Sequence, residues 1–357
     1  MKQDKCNLCD QGFITKYGYN WNSDGTWGKK EGLLVSFMGK EEILNIFENI
    51  EKELKKPIDK LLILSKRIVT LNVVNQEFLG RFMRFLIRAR LFNDNKLKKA
   101  LNKKFFAPIG WGICEKIHLD HRRKSAIFIL KNYPLASLSE GAVSGIVQYI
   151  YNLAGVNIKR EERGKLLKVL VSPSETEDEL VKYVLKPVLA SELGLLPGNI
   201  QYNFCPKCKI PIDFSERYNW ILDEGRIVDI KTNKDQLLFT RYALDAIFGL
   251  LKRELGREFI SKIIFKAEKK YITNLYKDKN EDFERLVSQK DFGMKGWGNL
   301  KEIKKTGDII EVRIDNPFYK EILSGFVAGA YSATKNQEVR TKWQGKNNIL
   351  LIKIVSK

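Results

Sequence analysis

Two Cys-x-x-Cys pairs hold the residues best suited to chemistry in this chain: Cys6-Asn7-Leu8-Cys9 and Cys205-Pro206-Lys207-Cys208. Such a turn sets two thiolates on one side of a tight loop, and two pairs complete the tetrahedron of a structural zinc. We therefore take Cys6, Cys9, Cys205 and Cys208 as ligands of one shared zinc. An iron–sulfur centre or a redox dithiol uses the same residue types. The second pair is polar and flanked by lysine, closer to a zinc knuckle than to an oxidoreductase motif beside an apolar strand. A rival set, Cys114, His118 and His121, uses both histidines of the chain. It has no second copy, since Leu300 and Lys304 stand thereabouts later in the chain.

Catalytic signatures are lacking. No Gly-rich phosphate loop, nucleophile elbow or metalloprotease helix motif occurs. Two histidines near one hairpin leave few candidates for acid–base work. The sequence assigns no catalytic residue.

Four landmarks recur in the same order, which is the mark of an internal repeat. The Cys pairs come first, then Tyr19-Asn20-Trp21 and Tyr218-Asn219-Trp220. Gly110-Trp111-Gly112 matches Gly296-Trp297-Gly298, and the stretch from Ser144-Gly145 to Tyr151 matches Ser324-Gly325 to Tyr331. The expected organisation is a first module over 1–171, a linker over 172–203 carrying a helix through Leu180–Leu193, and a second module over 204–357.

The elements that must position these residues follow from periodicity. Gly32–Phe37 and Gly225–Ile230 are matching apolar runs. Ile43, Ile46, Phe47 and Ile50, like Leu244, Ile247, Phe248 and Leu251, have helical spacing. Ser125–Leu130 and Ile309–Ile314 read as strands after turns at Asp120–Arg123 and Thr306-Gly307-Asp308. Pro134 and Pro317 break each strand before a helix, and Leu166–Val171 and Ile349–Ile354 close the copies. The fold class is α+β: two tandem modules, each a small antiparallel sheet packed with helices.

The chain has 357 residues, 44% of them hydrophobic and 11% aromatic, enough to bury a core. Lys and Arg exceed Asp and Glu to give a formal charge of +20. An excess that large makes nucleic acid a candidate partner through the basic surface. The charges are mixed along the chain, however, as a solvated surface would have them. Arg81–Arg90 packs four arginines beside Phe82, Phe85 and Leu86, and reads as a surface helix with a buried apolar side. No run of ~18 apolar residues predicts a membrane span, and no apolar segment follows Met1 as in a secretory signal. Paired cysteines suited to metal point to the cytoplasm.

From Gly296-Trp297-Gly298 through Asp315-Asn316-Pro317-Phe318 to Ser324-Gly325-Phe326-Val327-Ala328-Gly329-Ala330-Tyr331, the sequence resembles the 4-vinyl reductase domain family. The resemblance covers most of the second half, and the first half through its match to the second. It implies a mixed α/β module with an apolar pocket between helices and sheet, and hence a small hydrophobic ligand: aromatic, hydrocarbon or acyl. Candidate ligand-binding residues are Trp297, Phe318, Phe326 and Tyr331, with Trp111 and Tyr151 in the first copy; each also reads as core. Gly325 and Gly329 make one helix surface small, which favours the second copy as the roomier one. Family members carry a cysteine zinc site near the domain end, but Lys342–Lys346 and the residues beyond hold no Cys. Two other classes compete with ligand binding: a zinc-containing nucleic-acid-associated protein, and a metal- or thiol-dependent enzyme or accessory.

Overall fold

Short apolar runs between turns build the strands, and three- and four-residue apolar spacing builds the helices between them. The computed structural model describes residues 6–9, 15, 18–29, 32–74, 80–176, 187–279 and 281–356. Strands β1 (Asn20–Trp21), β2 (Trp27–Gly28) and β3 (Leu34–Gly39) come first. Helix α1 (Lys40–Leu54) follows and buries Ile43, Ile46, Phe47 and Ile50, then α2 (Asp59–Val73). Helices α3 (Arg81–Arg88) and α4 (Asp94–Leu101) lead to Gly110, whose left-handed φ of 75° ends the last helical turn. Hairpin β4 (Ile113–Asp120) and β5 (Ser125–Lys131), helix α5 (Ala136–Tyr151), and hairpin β6 (Gly155–Arg163) and β7 (Leu166–Ser174) complete the first half.

After a short α6 (Ile212–Arg217) the order returns. It runs β8 (Tyr218–Ile221), β9 (Arg226–Asp229), β10 (Lys234–Thr240), α7 (Arg241–Leu255) and α8 (Arg257–Tyr276). Then come α9 (Phe283–Leu286), α10 (Gln289–Lys295), β11 (Asn299–Thr306), β12 (Ile309–Asp315), α11 (Lys320–Lys335), β13 (Val339–Lys346) and β14 (Ile349–Ser356).

The fold is α+β with three antiparallel sheets among the described residues. Two are four-stranded and laid out alike, β4-β5-β7-β6 and β11-β12-β14-β13. The third has six strands, β1-β2-β3-β10-β9-β8, so the halves meet where β3 pairs β10. Leu238 opposes Phe37 there, and an aromatic cluster including Trp21, Trp27, Phe214 and Trp220 packs on this sheet. The helices cross over: α1 packs on α8, and α2 on α7. Within each half, α2 packs on α5 and α8 on α11.

Several expectations are refined. Gly225–Ile230 contributes β9, beside β10, and it is β10 that pairs with β3. The counterpart of β3 begins with Lys234-Asp235-Gln236, which hides its apolar run Leu237–Phe239. Helices α5 and α11 match one turn away from the register read in the sequence. Their bounds align Gly141 and Gly145 with Gly325 and Gly329. Both pairs serve close packing: a Cβ at Gly145 would stand 2.8 Å from the Arg67 carbonyl oxygen, and one at Gly329 2.6 Å from that of Lys269. Small residues on α11 therefore bring a helix close and do not leave room for a ligand.

The expected linker helix lies outside the described residues over 180–186. Beyond it, 187–189 has no regular structure and Ala190–Glu192 forms one 3-10 turn. On α3 the apolar side is turned outward, with Phe82 70% and Phe85 62% exposed, while Ile87 is buried. No helix among the described residues is long and apolar enough to cross a membrane.

Candidate functional site

The backbone brings the two Cys-x-x-Cys turns together. The Cys6 and Cys205 sulfurs are 3.9 Å apart, those of Cys9 and Cys208 3.3 Å, and all four lie within 4.8 Å of one another. Tetrahedral zinc with Zn–S bonds of about 2.3 Å requires S···S separations of about 3.8 Å. None of the four is in a disulfide. Each turn aims backbone N–H groups at its first sulfur. Those of Leu8 and Cys9 draw the Cys6 thiol down to about 7, the Leu8 N–H having the larger effect. Those of Cys208 and Lys207 lower Cys205 likewise. Burial raises Cys208.

Local hydrogen bonds fix the second turn. Cys205 N–H donates to the Ile210 carbonyl at 2.8 Å and Lys209 N–H to the Cys205 carbonyl at 3.0 Å. Lys207 Nζ donates to Asn7 Oδ1 at 2.6 Å, tying one turn to the other. Four thiolate donors at this spacing could bind a metal ion. The rival set does not assemble. Cys114 faces the core, its thiol bonded to the Lys116 carbonyl and pushed up to about 12 by burial. His118 lies on the opposite, exposed face of β4 near Asp94. The four-cysteine cluster is the metal-type group found among the described residues.

A second feature lies beside Trp111. An apolar cavity of about 50 Å³ is walled by Val35, Val69, Phe105, Trp111, Leu238 and Phe239, with Ala243 also at its edge. Two polar side chains of α2, Lys66 and Thr70, enter this wall. Lys66 Nζ stands 3.8 Å from the Trp111 ring centroid, and burial alone draws its pKa down to about 7. Trp111 Nε1 and Thr70 Oγ1 are buried without a hydrogen-bond partner.

The matching place in the other half is filled. Phe326 and Phe292 pack edge-on against Trp297 at 4.9 and 5.5 Å, and Lys295 Nζ lies 4.1 Å from its ring centroid. Trp297 Nε1 donates to the Phe37 carbonyl at 2.7 Å. The buried carboxyls of Glu42 and Glu268 are hydrogen-bonded to each other and feel the charge of Lys295. Burial, reinforced by Glu42, holds Glu268 well above the usual carboxylate range. Glu42 Oε2 accepts the Gly39 N–H at 3.0 Å.

The other sequence candidates disperse. Tyr331 packs on Phe283 at 5.4 Å, Tyr151 meets His121 Nδ1 at 3.3 Å, and Phe318 borders a surface cleft between α7 and the β13–β14 turn. Sequence reading missed Lys66, Thr70, Glu42, Glu268 and Lys295. A signal existed: Lys66 falls between Leu62 and Val69 on one helical face, and Glu268 between Ile264 and Ile272, where a core residue belongs.

No protein-family model matches the chain, and no curated protein matches it at a significant level.

Proposed function

We propose that this protein binds a small hydrophobic ligand, in a fold built from two copies of one 4-vinyl-reductase-like module clasped by a structural zinc. The cavity beside Trp111 carries the reading: its lining, apolar with a few polar groups, has the composition of a small-molecule site on a smaller scale than most. Duplication is supported by interactions that recur in pairs across the halves. Gly112 N–H donates to the Gly225 carbonyl and Gly298 N–H to that of Gly25, at 2.9 and 3.1 Å. Trp220 Nε1 donates to the Pro108 carbonyl and Trp21 Nε1 to that of Met294, both at 3.1 Å.

Zinc suits the four sulfurs because four thiolates near tetrahedral spacing make up the full ligand set of a structural site. Bound there, the ion would hold Cys6 and Cys9 against Cys205 and Cys208 and so fix one half to the other. Such thiolates last best in a reducing compartment, and we place the protein in the cytoplasm. Elemental analysis coupled to native mass spectrometry tests both parts. One zinc per chain and a small additional mass released on denaturation are expected. Four freely titrating thiols without metal would remove the clasp, and a bare mass together with no uptake of apolar probes would remove the ligand.

A further inference from the structure

The cavity beside Trp111 has an electrostatic character that its apolar walls do not predict. Tyr19, Lys29 and Thr240 also line it, but the deeply buried polar groups on its wall are Lys66 Nζ, Thr70 Oγ1 and Trp111 Nε1, and each can donate; Thr70 Oγ1 and Trp111 Nε1 have no hydrogen-bond partner. The three side chains are 5%, 1% and 2% exposed, and the near neighbours of the Lys66 amine are the rings of Trp111 and Phe105. A buried donor without an acceptor is costly, and a buried ammonium without an anion more so. Among the described residues no carboxylate lines the site, so a charged acceptor is what it lacks.

The other half shows what supplies it. Trp297 hands its indole proton to the Phe37 carbonyl. Counted along the paired strands, Leu238 in the cavity wall stands where Phe37 does, yet Trp111 makes no such bond. Carboxylates also reach the second-half site, from Glu42 at the start of α1 and Glu268 in α8. The position in α7 that matches Glu42 is Ala243, at the edge of the cavity, and the position in α2 that matches Glu268 is Lys66. One half keeps its acids on the chain; the other keeps a cation and a space.

We propose that this cavity takes the carboxylate of a short or slender apolar acid, with Lys66, Thr70 and Trp111 as the three donors. The proposal rests on the ligand-binding reading above and names the class of ligand. A cavity of about 150 Å³ holds benzene, so ≈ 50 Å³ restricts the fit to a carboxylate with a few carbons.

Calorimetric titration of the full chain with acetate, propionate and butyrate, each beside the alcohol of the same skeleton, tests it. At least one acid is expected to bind with a Kd roughly tenfold below its alcohol, as a charge-assisted hydrogen bond implies. Lys66→Met should erase that preference by weakening the acid about tenfold, and Thr70→Val should weaken it several-fold. Methionine keeps the buried apolar stem and removes the amine, and a retained thermal transition shows that loss of binding does not reflect unfolding. Equal binding of acid and alcohol, or an acid preference that survives Lys66→Met, overturns the proposal and leaves the apolar-ligand reading standing. Binding of neither series overturns both.

Discussion

Trp111 and Trp297 occupy matching points in the two halves, each after a helix that ends at a left-handed glycine and before the first strand of a four-stranded sheet. On the Trp297 ring pack Phe326, Phe292 and Lys295, and the Glu42–Glu268 pair acts on Lys295. Around Trp111 three of the matching positions are shorter or apolar. Ala142 stands for Phe326, Ala243 for Glu42 and Ile109 for Lys295. A similar order of elements therefore encloses a sealed core on one side and a cavity on the other. Side-chain volume at three or four positions makes the difference, because close-packed interiors do not relax fully around missing atoms.

Emptying the sealed side should show this most strongly. Phe326→Ala removes a ring that is 3% exposed, and a loss of about 3–5 kcal/mol in denaturant unfolding is expected. A loss under about 1 kcal/mol would mean that the second half is not tightly filled, and the contrast would fail. Gly145→Ala and Gly329→Ala probe what the halves share. Each Cβ would press on a helix backbone, so both should destabilise by about 1–3 kcal/mol, despite the roughly 1 kcal/mol by which helices prefer Ala to Gly. A large effect in one half and none in the other would break the equivalence of the two helix pairs.

Protonation gives the finest distinction, with opposite signs in the two halves. Lys66 is drawn from 10.5 to about 7 in the folded chain. Between those values the unfolded chain holds a proton that the folded chain has shed, so stability rises with pH, by at most about 1.4 kcal/mol per unit. Glu268 is raised above 4.5 by burial and by Glu42. There the folded chain keeps a proton that the unfolded chain loses, so its contribution falls as pH climbs from the ordinary carboxyl range. Without ligand, Lys66→Met should gain most over wild type near pH 6 and least near pH 10, and Glu268→Gln the reverse. Unfolding midpoints across that range, with the same pH trend for both variants, would deny the two sites their opposite character.

Much of the scaffold was legible before any coordinates. Helix-spaced Ile43, Ile46, Phe47 and Ile50 lie buried in α1, the hairpins fall at the turns read from Asp120–Arg123 and Thr306-Gly307-Asp308, and the prolines stand just before α5 and α11. Local pattern misled where two readings fit. Each helix carries two glycines about a turn apart, Gly141 and Gly145 or Gly325 and Gly329, with Ser before a different one in each, so the α5–α11 register needed element boundaries to choose it. Lys234-Asp235-Gln236 disguised β10, since its charged start breaks the apolar run. Phe82 and Phe85 read as a buried side because amphipathicity tells which residues share a face and not what covers that face.

The sequence by itself determined the fold class, the two Cys-x-x-Cys turns and the recurring landmarks, because helical and strand periodicity and tight-turn chemistry are local and act along the chain. Tertiary structure decided which sulfurs meet, that α1 crosses to α8 and α2 to α7, and that the space lies beside Trp111 while Trp297 is enclosed. Those outcomes depend on volumes and charges brought together from distant positions, 199 residues apart for Cys6 and Cys205 and 260 for Phe37 and Trp297. No periodicity along one segment records what another segment will place against it.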